Sequence, residues 1–199
     1  MPNKFNITAD FSLYTKVFLE ENAKLNLISK NDEKFLYAKH IYDSLAIKLF
    51  DKLADGISML DIGCGGGFPC IPIAIEFPDI QILGVDSIRK KVNAVNNIIQ
   101  ALNLQNITAI CDRVENINDR KFDIITSRAV ADLAKIIHYA LPLLKEEGYF
   151  IAYKSKKALE EIKNAQPVLE KYNAKIIDII EYTLPLPEVY ERNLIIIGF

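Results

Sequence analysis

From residue 57 onward short apolar runs alternate with amphipathic segments, a glycine cluster follows the first run, and an acid closes the second. These observations predict an α/β fold of Rossmann-like type, with a mostly parallel central sheet and helices on both faces. Five runs read as buried strands: residues 57–62, 80–85, 107–111, 122–126 and 149–153. Their continuous apolar character is what burial on both faces of a parallel sheet requires. After the second run, Ile88, Val92, Val95, Ile99 and Leu102 mark one helix face, with Ser87 as its expected N-cap. After the fourth, Leu133, Ile136, Ile137, Ala140, Leu141 and Leu144 mark another.

Two helical stretches come before this core. Phe11, Tyr14 and Phe18 recur at helical spacing, and so do Ile41, Leu45 and Leu49, with the polar Ser29-Lys30-Asn31-Asp32 between. Residues 1–50 are therefore expected to form a helical cap on a core of residues 57–199, all within one domain. Past residue 155, Leu159, Ile162 and Leu169 suggest a helix that Pro167 should kink or end. Residues 176–182 and 193–199 read as two more strands, separated by Leu184-Pro185-Leu186-Pro187.

Composition narrows the class without naming a substrate. The chain is 50% hydrophobic and 25% charged, which reads as a folded, soluble protein. No run of about 18 apolar residues occurs, and Met1-to-Asp10 lacks the order of a signal peptide, so a cytoplasmic, non-membrane protein is expected. Cys64, Cys70 and Cys111 form no CxxC pair and read as reduced thiols, with no metal site expected. A net charge of −2 leaves no overall basic footprint. Arg89-Lys90-Lys91 and Lys154-Lys156-Lys157 are either a local basic patch or solvated helix ends.

The segment Asp61-Ile62-Gly63-Cys64-Gly65-Gly66-Gly67-Phe68-Pro69 runs from a strand into a helix. Glycines at Gly63, Gly65 and Gly67 let the backbone turn sharply and approach a ligand. Asp86 ends the next strand, 19 residues after Gly67. In a doubly wound sheet both lie at the carboxyl edge, where a carboxylate accepts from ribose hydroxyls. The third glycine of a dinucleotide fingerprint would fall at Phe68, whose bulk disfavours a pyrophosphate. Asp61 can meet a methionine amino group but would repel phosphate. The cofactor these residues suit is S-adenosylmethionine.

The motifs also resemble, in order over residues 25 to 155, the ribosomal small-subunit methyltransferase G family, or glucose-inhibited division protein B. Asn26-Leu27 and His40-Ile41-Tyr42-Asp43-Ser44-Leu45 resemble its amino-terminal signature. The cofactor loop through Cys70-Ile71-Pro72 follows, with two prolines that generic methyltransferases lack. Asp86-Ser87 with Lys90-Lys91-Val92, then Arg113-Val114-Glu115, then Phe122-Asp123 and Ser127-Arg128-Ala129 complete the series. The resemblance implies methylation of nitrogen 7 of one guanine in small-subunit ribosomal RNA, presented as a ribonucleoprotein particle. It implies cofactor contacts at Gly63, Phe68, Val114, Glu115 and Arg128. Substrate contacts are expected, separately from the resemblance, at His40, Arg128 and Lys154. Cys70 and Ser155 stand where the family commonly has glycine, and Asp112 replaces a small residue. Either Asp112 or the Glu115 region could read adenine.

Amino-group methylation needs an Asp/Asn-Pro-Pro-aromatic turn after the fourth strand, where this chain has Ser127-Arg128-Ala129-Val130. Cytosine carbon-5 methylation needs a cysteine nucleophile, and Pro69-Cys70 lies in the wrong loop. A ring nitrogen with an in-plane lone pair needs neither device, so no catalytic side chain is assigned. His40, Asp43 and Ser44 should share one helix face. His40 either borders the site or is hydrogen-bonded between cap and core, whereas His138 is read as structural. The competing functions are a small-molecule methyltransferase and a nucleotide-binding regulator without catalysis.

Overall fold

The computed structural model describes residues 5–156 and 158–199, so Lys157 lies outside the described residues. Its centre is a seven-stranded sheet in the order β3-β2-β1-β4-β5-β7-β6. The strands are β1 (Ser58–Ile62), β2 (Gln81–Asp86), β3 (Ile107–Cys111), β4 (Phe122–Arg128), β5 (Leu144–Ser155), β6 (Lys175–Thr183) and β7 (Glu191–Gly198). The first five are mutually parallel, β7 is antiparallel to β5, and β6 is antiparallel to β7. The chain winds outward from β1 to β3, then restarts on the other side of β1 with β4. That reversal opens a crevice at the carboxyl ends of β1 and β4. Ile62 pairs with Val85 on one side and Ser127 on the other, so Gly63, Asp86 and Arg128 emerge together at this edge.

Each strand sends alternate residues to two separate cores, as the period of a strand requires. Met59, Ile124, Ile151, Leu194 and Ile196 join the first, against α4 (Cys70–Glu76), α5 (Arg89–Ala101) and the amino-terminal helices. Leu60, Ile125, Phe150, Ile195 and Ile197 join the second, against α6 (Leu133–Ala140) and α7 (Ala158–Lys171). Val92, Val95, Ile98 and Ile99 of α5 are all buried, each removal from water contributing about 1.5–3 kcal/mol.

The cap begins with α1 (Ser12–Leu25) and the short α2 (Lys30–Glu33), whose Ser29 side chain accepts from Asp32 N. The stretch expected as one helix through Ile41, Leu45 and Leu49 is instead a π turn (Leu36–Ile41), α3 (Tyr42–Leu45) and a 3-10 turn (Ala46–Leu49). Glu76 of α4 ties the first residues down, accepting from Thr8 N at 3.0 Å and Ala9 N at 2.9 Å while pairing with Lys48.

Two local expectations are corrected. Ile88, not Ser87, is the N-cap of α5, and the carboxylate of Asp86 accepts from Ile88 N at 2.8 Å. No side chain caps the first turn of α5, and Asp86 fixes the N-cap residue instead. Pro167 lies inside α7 without ending it. Its ring is exposed, while Ala165 and Leu169 bury the other face against the sheet, and that packing outweighs the lost hydrogen bond.

Candidate active site

The glycine loop is shaped by its neighbours. Gly63 N and Cys64 N both donate to Val85 O, at 2.8 and 3.0 Å, folding the chain back over β2. Gly63 has φ +71°, and a Cβ there would sit 2.5 Å from Val130 Cγ2. Gly67 has φ +91°, and a Cβ there would sit 2.5 Å from Ile71 Cδ1. Both positions need glycine for conformation and space together. Gly65 N donates to Asp86 Oδ2 at 2.9 Å, so one carboxylate anchors both the loop and the start of α5.

Arg128 ends β4 and turns into the cap. Its Nη1 donates to Asp43 Oδ2 at 2.8 Å and to Lys39 O at 3.3 Å, and its Nη2 meets His40 Nδ1 at 2.9 Å. Its guanidinium carbon stands 5.0 Å from the Phe68 ring centroid. Asp43 is shared. Arg192 of β7 donates to it from Nε at 2.9 Å and Nη2 at 3.0 Å, and Tyr182 of β6 donates its hydroxyl at 2.6 Å. Burial alone would raise the Asp43 carboxyl, but the charges of Arg192 and then Arg128 hold it below the ordinary value. Tyr153 of β5 closes the assembly by donating to Ser44 O at 2.7 Å. His40, Asp43 and Ser44 are thus one constellation, built on a π turn rather than a regular helix face.

The same region holds the loose ends. Among the described residues, three buried side-chain polar atoms lack a partner: Tyr14 Oη, His40 Nε2 and Asp61 Oδ2. Tyr14 and His40 pack on Phe68, with ring centroids 6.3 and 4.9 Å away. Burial drives the His40 pKa down to about 4, with the Arg128 charge adding to it, so the ring is neutral. Burial drives the Asp61 pKa up to about 7, opposed by the Thr126 hydroxyl that donates to Oδ1 at 2.9 Å. Unsatisfied buried groups are costly, and their concentration around one loop marks a place where a ligand completes the bonding.

Gly63, Gly65, Phe68, Asp86, Arg128 and His40 line one cavity of about 260 Å³, joined by Leu27, Lys91 and Val130. Gly67 shapes the loop from behind. Asp61 lies under it, fully buried. Val114 and Glu115, in a 3-10 turn after β3, border a separate depression with Ile117 and His138. Asp112 accepts from Arg113 N and Asn116 Nδ2, at 2.7 and 2.6 Å, and lies outside the cavity. Lys154 pairs with Glu161 at 2.6 Å and donates to Ala131 O at 2.7 Å, so it braces residues 129–132. Lys156 is exposed, as are Arg89 and Lys90. His138 meets Tyr172 Oη at 3.2 Å. Cys64, Cys70 and Cys111 are free thiols. Among the described residues no cluster suits a metal ion and no helix is long and apolar enough to cross a membrane.

Sequence reasoning missed Arg192, Tyr182 and Tyr14. A charged residue opening the apolar run of β7 was the one signal for Arg192. Tyr14 is indistinguishable from a core aromatic until its hydroxyl is seen unpaired.

A 3-2-1-4-5-7-6 sheet with a glycine loop after β1 and an acid after β2 defines the Rossmann-like methyltransferase class. TYW2 of M. jannaschii, solved in complex with AdoMet, shares that fold at a TM-score of 0.62 and 16% identity, over 80% of this chain and 75% of that one. Residues 7–193 match the family described as rRNA small subunit methyltransferase G. A Staphylococcus saprophyticus protein named ribosomal RNA small subunit methyltransferase G is 38% identical over 94% of this chain and 80% of its own length. One so named from Lachnoclostridium phytofermentans is 38% identical over 94% and 79%. The chain belongs to the rRNA small subunit methyltransferase G family.

Proposed function

We propose that this rRNA methyltransferase uses S-adenosylmethionine to methylate nitrogen 7 of one guanine in small-subunit ribosomal RNA. The observation that carries this reading is that, among the described residues, no free base lines the cavity. His40 has one lone pair, and the Arg128 guanidinium occupies it. The Asp86 oxygens accept from Gly65 N and Ile88 N, and in this reading their remaining capacity is taken by the ribose. A nitrogen with an in-plane lone pair carries no proton to remove, so a site built for positioning alone suffices.

The cofactor supplies an electrophilic methyl group on a sulfonium. The residues present fit it. Each Asp86 oxygen retains capacity to accept from a ribose hydroxyl, and the unpaired Asp61 Oδ2 suits an ammonium. Gly63, Gly65 and Gly67 let the backbone approach, and Phe68 and Arg128 form one wall. In this reading the adenine end extends beyond the cavity toward Val114 and Glu115 on the turn after β3, with Asp112 beside them. Lys91, with Arg89 and Lys90 behind it, offers positive charge to an RNA backbone at the cavity rim. Lys154 contributes by holding residues 129–132 beside Gly63. We read residues 1–199 as a single domain, with the cap of 1–50 completing the site on the 57–199 core. Its substrate is a ribonucleoprotein particle, and its compartment is the cytoplasm.

Labelled methyl transfer to isolated small subunits, followed by mass analysis of the nucleosides, tests this. The expected product is 7-methylguanosine. Label appearing only in a small molecule, or cofactor binding with no transfer to any RNA, refutes it.

A further inference from the structure

The Arg128–His40 contact fixes more than orientation. A guanidinium can only donate, so His40 Nδ1 must be the acceptor in the 2.9 Å contact with Nη2. In a neutral ring the single proton then resides on Nε2. That N–H has no partner among the described residues and is closed to water in the ligand-free protein, so it is met only when a ligand displaces the groups that cover it. The ring is held against Phe68, at 4.9 Å between centroids, and borders the cavity together with Asp86 and Gly63. The protein therefore holds one unpaired hydrogen-bond donor on a ring that borders the cavity proposed for the cofactor.

The Hoogsteen edge of guanine presents two acceptors, N7 and O6. The commonest reader of that edge is an arginine bonded to both. Such a contact is barred here, because a donor on N7 would occupy the lone pair that has to attack. The two Arg128 Nη atoms are, moreover, already directed at Asp43, Lys39 O and His40. What an N7 methyltransferase needs is a single donor aimed at O6 alone. We propose that His40, through Nε2–H, is the specificity-determining residue that reads O6 of the target guanine; this rests on the N7 reading above. An adenine in the same place would oppose its own amino donor to the His40 donor, and is rejected. The role makes His40 a reader rather than a base, and makes Arg128 the residue that sets its tautomer.

The test uses small subunits reconstituted with RNA bearing either guanine or 2-aminopurine at the target position. The analogue keeps N7 and the 2-amino group but lacks O6. Wild-type protein should transfer methyl to guanine about tenfold to a hundredfold faster than to 2-aminopurine in single turnover, the range for one lost hydrogen bond. His40→Ala should fall on guanine to about the wild-type rate on 2-aminopurine, with the ratio collapsing to about twofold or less. His40→Phe keeps a flat ring against Phe68 without either nitrogen, and carries the same expectation if the alanine variant does not fold. His40→Gln, which retains an acceptor and a donor, should restore discrimination. A variant without the donor that keeps the full wild-type ratio, or a wild type that does not discriminate, overturns the proposal. Nucleoside analysis separates the two layers. A product other than 7-methylguanosine removes the N7 reading and this proposal with it. The correct product with an unchanged ratio in the variants removes only the role of His40.

Discussion

Replacing Asp43 with Asn removes the one negative charge in a buried cluster while conserving its volume. The carboxylate is 3% exposed, and the two guanidiniums bonded to it are 11% and 14% exposed. It accepts two bonds from Arg192, one from Arg128 and one from Tyr182. An amide oxygen can keep part of these, but its amino end is turned toward donors. Removing one partner of a buried ion pair costs about 3–5 kcal/mol, and partial hydration of the arginines places the expectation near the lower figure. For a domain of this size that is a fall of about 6–12 °C in Tm. Urea unfolding followed by circular dichroism measures it, with m unchanged and the midpoint lowered. Adding Arg192→Met to Asp43→Asn should recover about 1–2 kcal/mol, because only Arg128 is then left without its counter-charge. The pH dependence has a definite sign. A carboxyl held below its ordinary value of 3.8 contributes stability that is complete above that value and lost as pH falls through its lower folded one. The deficit of the variant should therefore shrink in acid. A loss under about 1 kcal/mol at pH 7, or strictly additive single and double variants, refutes the claim that Asp43 binds the two arginines together.

The Asp61 carboxyl, raised by burial to about 7, should ionise when an ammonium binds beside it, so cofactor binding at pH 6 should release about 0.9 proton. Calorimetry in buffers of different ionisation enthalpy reads this directly, and heats independent of buffer sink it. Because that raised carboxyl weakens the ligand-free fold as pH climbs from 3.8 through 7, Asp61→Asn should melt higher than wild type at pH 8 while binding cofactor more weakly; a lower melt contradicts the burial argument. Asp86→Ala should lose about 1.5–3 kcal/mol of cofactor affinity, since the ribose acceptor and the anchor of Gly65 disappear together; unchanged affinity in titration calorimetry removes Asp86 from the site. At saturating cofactor the single-turnover rate should be flat from about pH 6.5 to about pH 8.5, because His40, at about 4, is neutral throughout; a tenfold rise per pH unit would mean that a proton is being removed.

The strands were legible because most are predominantly apolar runs, the pattern that burial on two faces favours. The cofactor loop was legible for a different reason, since glycines at Gly63 and Gly67 answer steric demands that sequence spacing preserves. What could not be read was anything decided across long separations. Arg128 looked like a cofactor contact, and its bonds to Asp43 and His40 depend on where the cap docks. Lys154 looked available for RNA, yet Glu161, seven residues on, holds it. Pro167 looked like a helix end because a local rule was applied where burial of Ala165 and Leu169 governs. The N-cap of α5 was misplaced by one residue: Asp86, already assigned to the ribose, also takes Ile88 N.

The position of β7 between β5 and β6 governs the order in which a growing chain can finish itself. Strand β6 is made first but has no edge to pair with, since its only neighbour is β7. Asp43 likewise waits for Arg192, 149 residues later in the chain. A nascent polypeptide can wind β1 to β5 and dock its cap while the hairpin is still emerging, and it then carries an uncovered β5 edge and an Asp43 that pairs with Arg128 alone. Strand β7, made after β6, slides between β5 and β6, so the Asp43 cluster that holds Arg128 is completed in one late step rather than gradually.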